Sequence, residues 1–195
     1  MAKEIWKPGN MLYPLPVVLV SMADREGKAN IITLAWVGTV CTNPPIISIS
    51  VRPERYSYPV LRDTGEFVVN LTTKKLVFAT DYCGVKSGRE VDKFRETGLT
   101  PTAASCVKAP MIEESPVNIE CRVRQVQSLG SHDLFLADVV AVHADQKYMD
   151  ETRKFHLEKA EPIVYSHGAY LSCGEQLGTF GYSVRRNQKS SRKQG

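Results

Sequence analysis

Long apolar runs are missing from this 195-residue chain, and no stretch approaches the ~20 residues that cross a bilayer as a helix. The apolar windows at 17–20, 31–41 and 45–51 are short and interrupted, which fits strands or buried helices. Cysteine is sparse and scattered. Cys41, Cys83, Cys106, Cys121 and Cys173 form no C-x-x-C pair and no Cys/His cluster, which excludes zinc-ribbon and iron–sulfur readings. Each therefore reads as a small buried hydrophobe. The four histidines, at 132, 143, 156 and 167, stand outside metal-ligand spacing. Glycine signatures are absent too. There is no G-x-G-x-x-G, no G-x-x-x-x-G-K-[ST] and no G-x-S-x-G, so neither a Rossmann site, a P-loop nor a nucleophile elbow is supported. The N-terminus lacks a basic segment followed by an apolar core, so the expectation is a cytoplasmic protein, and the sequon at Asn70-Leu71-Thr72 reads as chance.

What is present is a globular composition, 43% hydrophobic and 24% charged. That excludes a disordered chain or a coiled-coil rod and favours one domain. The formal charge of +4 invites a nucleic-acid reading, but Arg185, Arg186, Lys189, Arg192 and Lys193 crowd the last eleven residues. With those five of the 25 basic residues set aside, 20 face 21 acidic ones, and the body carries about −1. The expected organisation is a domain over 1–183 and a solvated basic tail over 184–195, with neither a nucleic-acid nor a membrane partner.

β-Branched residues cluster between breakers in the first 71 positions. Strands are expected over 17–22, 29–41, 46–51 and 66–71, with a hairpin turn at 24–28 and a stop at Pro44-Pro45. Their apolar pattern does not alternate cleanly, which predicts strands covered on both faces. Helical spacing falls at 58–64, 74–83 and 89–96. Val117, Ile119, Cys121 and Val123 alternate with Asn118, Glu120, Arg122 and Arg124, predicting a strand with one wet face. It pairs across 130–133 with a buried strand over 135–144, and 162–183 reads as irregular cover. The fold class is mainly β with helical insertions, a barrel in preference to a doubly wound sheet.

Three segments carry candidate chemistry. Along 30–38, Trp36 stands among Ala35, Gly38 and the hydroxyl of Thr33, where a flat ring could approach the backbone. Over 52–58, the guanidinium groups of Arg52 and Arg55 and the hydroxyl of Ser57 gather before a helix, a combination suited to a phosphate dianion. Over 87–94, Arg89 and Lys93 are four residues apart, which puts both on one face of the predicted helix. A flat heteroaromatic head with an anionic tail satisfies all three, and flavin mononucleotide (FMN) has that shape.

The runs N-I-I-T-L-A-W-V-G-T-V-C-T-N-P-P at 30–45, R-P-E-R-Y-S-Y at 52–58, C-G-V-K-S-G-R-E-V-D-K-F at 83–94 and G-S-H at 130–132 resemble the flavin reductase-like family, within it the flavoredoxin group. The resemblance extends to I-V-Y at 163–165 and L-S-C-G-E-Q-L-G-T-F-G-Y-S at 171–183. It implies an FMN-binding split β-barrel, a six-stranded Greek-key barrel acting as a homodimer. It further implies that Asn30, Thr33, Ala35 and Trp36 approach the flavin, that Ser57 and Lys93 serve its ribityl-phosphate end, and that His132 reaches the ring. Tyr165 stands where an aromatic, often Phe, is expected; Arg52 and Arg89 join the site on charge alone. The implied activity is an oxidoreductase that receives a hydride from NAD(P)H at flavin N5, or electrons from a redox protein. The rival is a non-catalytic FMN-binding electron carrier.

Overall fold

Asp24 starts the architecture by closing the first turn. Its Oδ1 accepts the main-chain N–H groups of Glu26 and Lys28 at 3.1 and 2.7 Å, and Gly27 takes φ +84°, which a residue without Cβ adopts freely. The turn folds β2 (Val18–Ala23) against β3 (Ala29–Leu34). The computed structural model describes residues 2–184; the basic tail predicted at the C-terminus lies, apart from Val184, outside them. Ahead of β2, a two-residue β1 (Leu15–Pro16) leaves the main sheet to pair elsewhere.

The expected single strand over 29–41 is two. Ala35 and Trp36 break it, and β4 (Val37–Thr42) turns back through Asn43-Pro44 into β5 (Pro45–Val51). Helix α1 (Ser57–Thr64) ends at Gly65, φ +65°, and leads into β6 (Glu66–Leu71). A 3-10 turn at Lys74–Leu76 continues as α2 (Val77–Val85), and α3 is only Lys93–Thr97. Arg89 therefore lies in the loop before α3, and the predicted pairing of Arg89 with Lys93 on one helical face does not form. Asp92 decides this boundary, because its carboxylate accepts the Arg95 N–H as an N-cap. Short strands β7 (Pro101–Thr102) and β8 (Met111–Ile112) precede the long hairpin of β9 (Val117–Ser128) and β10 (Asp133–Ala144).

The segment predicted to be irregular cover contains a hairpin, β11 (Ile163–Ser166) and β12 (Ala169–Ser172), turned at His167 and Gly168 with φ of +48° and +83°. Together with β1 it forms a separate three-stranded sheet. Its glycines and tyrosines mark a tight turn and aromatic packing, which a search for β-branched runs passes over.

The main sheet is antiparallel, in the order β3-β2-β6-β9-β10-β5-β4. Its two edge strands, β3 and β4, are consecutive in sequence and joined by only two residues, so the sheet must curl until its edges nearly meet. They share no ladder, so the curled sheet does not close: the split barrel has seven strands and opens at Ala35-Trp36, where the resemblance implied six strands. Inside the curl, Val20, Met22, Ile49, Phe67 and Phe135 form the core, with Leu61 of α1 closing one end. On the outer face of β2 and β3, Leu19 and Ile31 meet Ala79 and Cys83 of α2 and Phe94 of α3. This accounts for β2 being buried at all six positions, as the missing alternation predicted. Cys83 and Cys121 are buried, but Cys106 and Cys173 are exposed, contrary to the uniform reading of the cysteines.

Candidate functional site

The break at Ala35-Trp36 places an indole at the mouth of the split. Its main-chain carbonyl is held by the Ser50 N–H of β5 at 2.9 Å, while the side chain stays 39% exposed. A cavity of about 270 Å³ opens there, lined by Thr33, Ala35, Trp36, Arg52, His132 and Tyr165 of the predicted residues. The Trp36 and His132 rings are parallel within 7° at 6.2 Å between centroids, and Tyr165 stands 6.4 Å from Trp36 at 47°. Tyr170 on β12 supports Tyr165 at 6.0 Å and donates its hydroxyl to Asp81 of α2 at 3.1 Å, so the small sheet is latched over α2. Burial and the Asp81 carboxylate push the Tyr170 phenol up to about 12, so this hydroxyl remains a donor throughout the physiological range.

A second cavity, about 410 Å³, shares Ile32, Arg52, Arg55 and Gly84 with the first, so the two make one groove. Ser57, Lys86, Ser87, Arg89 and Lys93 line it, with Glu54 and Glu90 as the acidic members. Arg52 is partly neutralised by Glu54 at 2.7 Å. Ser57 is buried at the start of α1, and its Oγ accepts Asn30 Nδ2 at 2.8 Å, which leaves its own hydroxyl hydrogen free to donate. Asn30 lines neither cavity and acts from behind Ser57, on the far side of the 87–90 loop.

Lys93 occupies an unforeseen position. Only 4% exposed, its Nζ donates to Ile31 O of edge strand β3 and Cys83 O in the last turn of α2, both at 2.7 Å. An edge strand and a helix C-terminus each leave carbonyls without backbone partners, and one ammonium satisfies both. Burial, with Arg55 adding to it against the opposing influence of Cys83, pushes the Lys93 pKa down to about 8. The sequence reading also passed over Lys86, Ser87, Asp81 and Tyr170. The first two sit inside the quoted run at 83–94; the last two carry no signal until β12 is folded onto α2.

A mainly β split barrel with an aromatic slot at its split and a cationic recess beside it is the architecture of the FMN-binding split-barrel class. Residues 10–174 match the flavin reductase like domain, and the chain belongs to that family, which sets it among flavin-linked redox proteins. Among solved structures, the chain is similar to the flavoredoxin of Desulfovibrio vulgaris (Miyazaki F), at 28% identity and a TM-score of 0.87, over 94% of this chain and 100% of that one. It is similar also to flavoredoxin from Methanosarcina acetivorans, at 30% identity and 0.83, with the same coverage. A protein of Aeropyrum pernix is 33% identical over 158 residues, 80% of this chain; the match spans 58% of that relative's length. No helix among the described residues is long and apolar enough to cross a membrane.

Proposed function

We propose that the chain is an FMN-dependent oxidoreductase taking reducing equivalents from NADH or NADPH. The observation that carries this reading is the continuity of the groove: flat aromatic walls at one end, hydroxyls and cations at the other. The donor set fits the group. Arg52, Arg55, Lys86 and Arg89 supply charge for a phosphate dianion and Ser57 and Ser87 supply hydroxyls, while Trp36, His132 and Tyr165 match a planar ring. One phosphate suffices, because no dinucleotide fingerprint is present.

Bound in this groove, the flavin supplies hydride and single-electron chemistry. The chain positions and shields. Trp36 and Tyr165 of β11 wall the ring slot, and the hydrogen bond from Tyr170 to Asp81 holds the small sheet beside it against α2. His132 Nδ1 lies 2.9 Å from Ser131 Oγ, which leaves Nε2 as the atom able to hold or release a proton toward the slot. The test is direct: the purified protein carries flavin absorbance, releases FMN on denaturation, and loses its visible band when mixed with NADH or NADPH in the absence of oxygen. A preparation that is colourless and takes up no added FMN overturns the reading; one that binds FMN but stays oxidised with both nicotinamides restricts it to electron carriage.

The same reading includes a homodimer. Ile5, Trp6 and Leu12 before β1, and Leu177 and Phe180 after β12, are exposed, an apolar load larger than an isolated domain of this size carries on two terminal segments. Light scattering at micromolar concentration should give twice the 21.7 kDa of one chain; a mass of 21.7 kDa would refute the dimer.

A further inference from the structure

His132 reaches the ring slot from a turn that projects into solvent. Ser128 to Ser131 are exposed, Gly130 takes φ +102°, and the main chain closes on itself through Leu129 N–H to His132 O at 3.0 Å. The stem of the turn is different. Asp133 is 6% exposed, and its Oδ2 accepts the hydroxyl of Tyr58 in the first turn of α1, while its Oδ1 is buried with no hydrogen-bond partner among the described residues. The Ser128 hydroxyl and the Arg62 charge also favour the ionised carboxylate. Ser128 pairs with Asp133 in the same hairpin and moves with it, and Arg62 acts through its charge alone, so the direct tie from this stem to α1 is the Tyr58 hydroxyl.

Helix α1 is itself fixed at both ends. Asn30 Nδ2 donates to Ser57 Oγ at 2.8 Å, and the Arg25 guanidinium makes two bonds of 2.6 Å to the Asp63 carboxylate. The Tyr58 ring meets Phe135 of β10 edge-on, at 5.8 Å and 80°. We propose that Tyr58 is a positioning residue of the groove: through Asp133 it fixes the turn that presents His132 to the ring slot, and so sets His132 relative to Ser57, its own neighbour in sequence. The inference rests on the flavin reading above and deepens it by assigning what holds the two ends of the groove in register. A buried carboxylate with one oxygen already unpartnered cannot lose its other donor and stay in place; it turns toward water. Neighbouring side chains on a strand point to opposite faces, so a rotation that carries Asp133 outward takes His132 away from the slot.

The experiment titrates FMN and riboflavin by fluorescence into the natural protein, Tyr58→Phe, His132→Ala and the double variant, and records the visible circular dichroism of bound FMN. Tyr58→Phe keeps the ring on Phe135 and removes only the hydroxyl. It should weaken FMN and riboflavin alike, by about three- to tenfold, the scale of ordering one side chain on binding. It should also move the dichroism of bound FMN toward that of His132→Ala. In the His132→Ala background the same substitution should change FMN affinity by less than about twofold, because the group it positions is gone. If Tyr58→Phe fails to fold, Asp133→Asn and Asp133→Ala decide: asparagine still accepts from Tyr58 and should bind FMN within about twofold of the natural protein, whereas alanine should lose about three- to tenfold. Unchanged flavin affinity in Tyr58→Phe, a loss that persists in full without His132, or Asp133→Asn as weak as Asp133→Ala overturns the positioning role and leaves the flavin reading intact. A natural protein that takes up no FMN removes both.

Discussion

Replacing Gly88 with valine should weaken FMN binding by about 30- to 100-fold, because it rebuilds the wall between Ser57 and the 86–90 loop. A Cβ on Gly88 would collide with Asn30 Oδ1 and lie 2.6 Å from Tyr56 Cδ1. Neither neighbour can step aside at low cost. Asn30 is 5% exposed and donates to Ser57 Oγ, and Tyr56 is held under the Lys28 ammonium at 5.9 Å. The loop must move instead, taking Lys86, Ser87 and Arg89 with it. Overpacking of this kind costs about 1–3 kcal/mol. For a chain of this length that lowers Tm by roughly 2–4 °C per kcal/mol. A 100-fold loss of affinity is about 2.7 kcal/mol. Parallel fluorescence titrations of the natural protein and Gly88→Val check it, and an unchanged FMN dissociation constant would show that this loop does not shape the site.

The contrast between Gly88 and Lys93 shows how much of the site a linear reading can reach. Segments were legible: the indole at 36, the guanidinium groups at 52 and 55, the hydroxyl at 57 and the loop at 87–94 line one groove, as charge and shape complementarity predicted. What Lys93 does was not legible. A lysine four residues after an arginine reads as a second cation for the same anion, and only the folded chain shows that it serves two carbonyls 62 and 10 residues away. Arg89 fails in the same way, since the periodicity counted through Asp92, the residue whose carboxylate starts the helix. For the strands the limit was topological. The β-branched run over 29–41 contains neither proline nor glycine at Ala35-Trp36; the break is imposed because β3 and β4 belong to opposite edges of one curled sheet. That hidden break is what carries Trp36 to the split, so the least legible feature of the fold positions the most legible residue of the site.

Glu120→Ala should be the most destabilising substitution outside the groove, for a reason that inverts the expected wet face of β9. Alternation put Glu120 in solvent with Asn118, Arg122 and Arg124, yet Glu120 is fully buried and Asn118 nearly so. The loop between β7 and β8 lies over that face. Ser105 N–H donates to Oε1 at 2.8 Å, Cys106 and Val107 N–H donate to Oε2 at 2.6 and 3.0 Å, and His143 Nε2 lies 2.6 Å from Oε1. Ser105 Oγ meets the same His143 nitrogen at 3.4 Å, so the three side chains cannot relay a proton through the ring as a catalytic triad does. The carboxylate is a peg on which the loop hangs. Truncation leaves three N–H groups without their acceptor at about 1–3 kcal/mol each where buried, partly recovered by water at exposed Ser105 and Cys106; a net loss of about 3–5 kcal/mol follows. That corresponds to a fall in Tm on the order of 10 °C. Burial opposes ionisation, but the N–H groups and His143 outweigh it and hold the carboxyl below its usual range. The stabilisation is therefore complete above the ordinary carboxylate range and is lost as the pH falls through the folded value, so the gap between the two proteins should narrow in acid. Glu120 lines neither cavity of the groove, and flavin affinity should change less than about twofold. Thermal unfolding of both proteins at pH 7 and pH 4, with an FMN titration at pH 7, measures all three quantities; a Tm within 2 °C of the natural protein at pH 7 would mean that the loop is held by something other than this carboxylate.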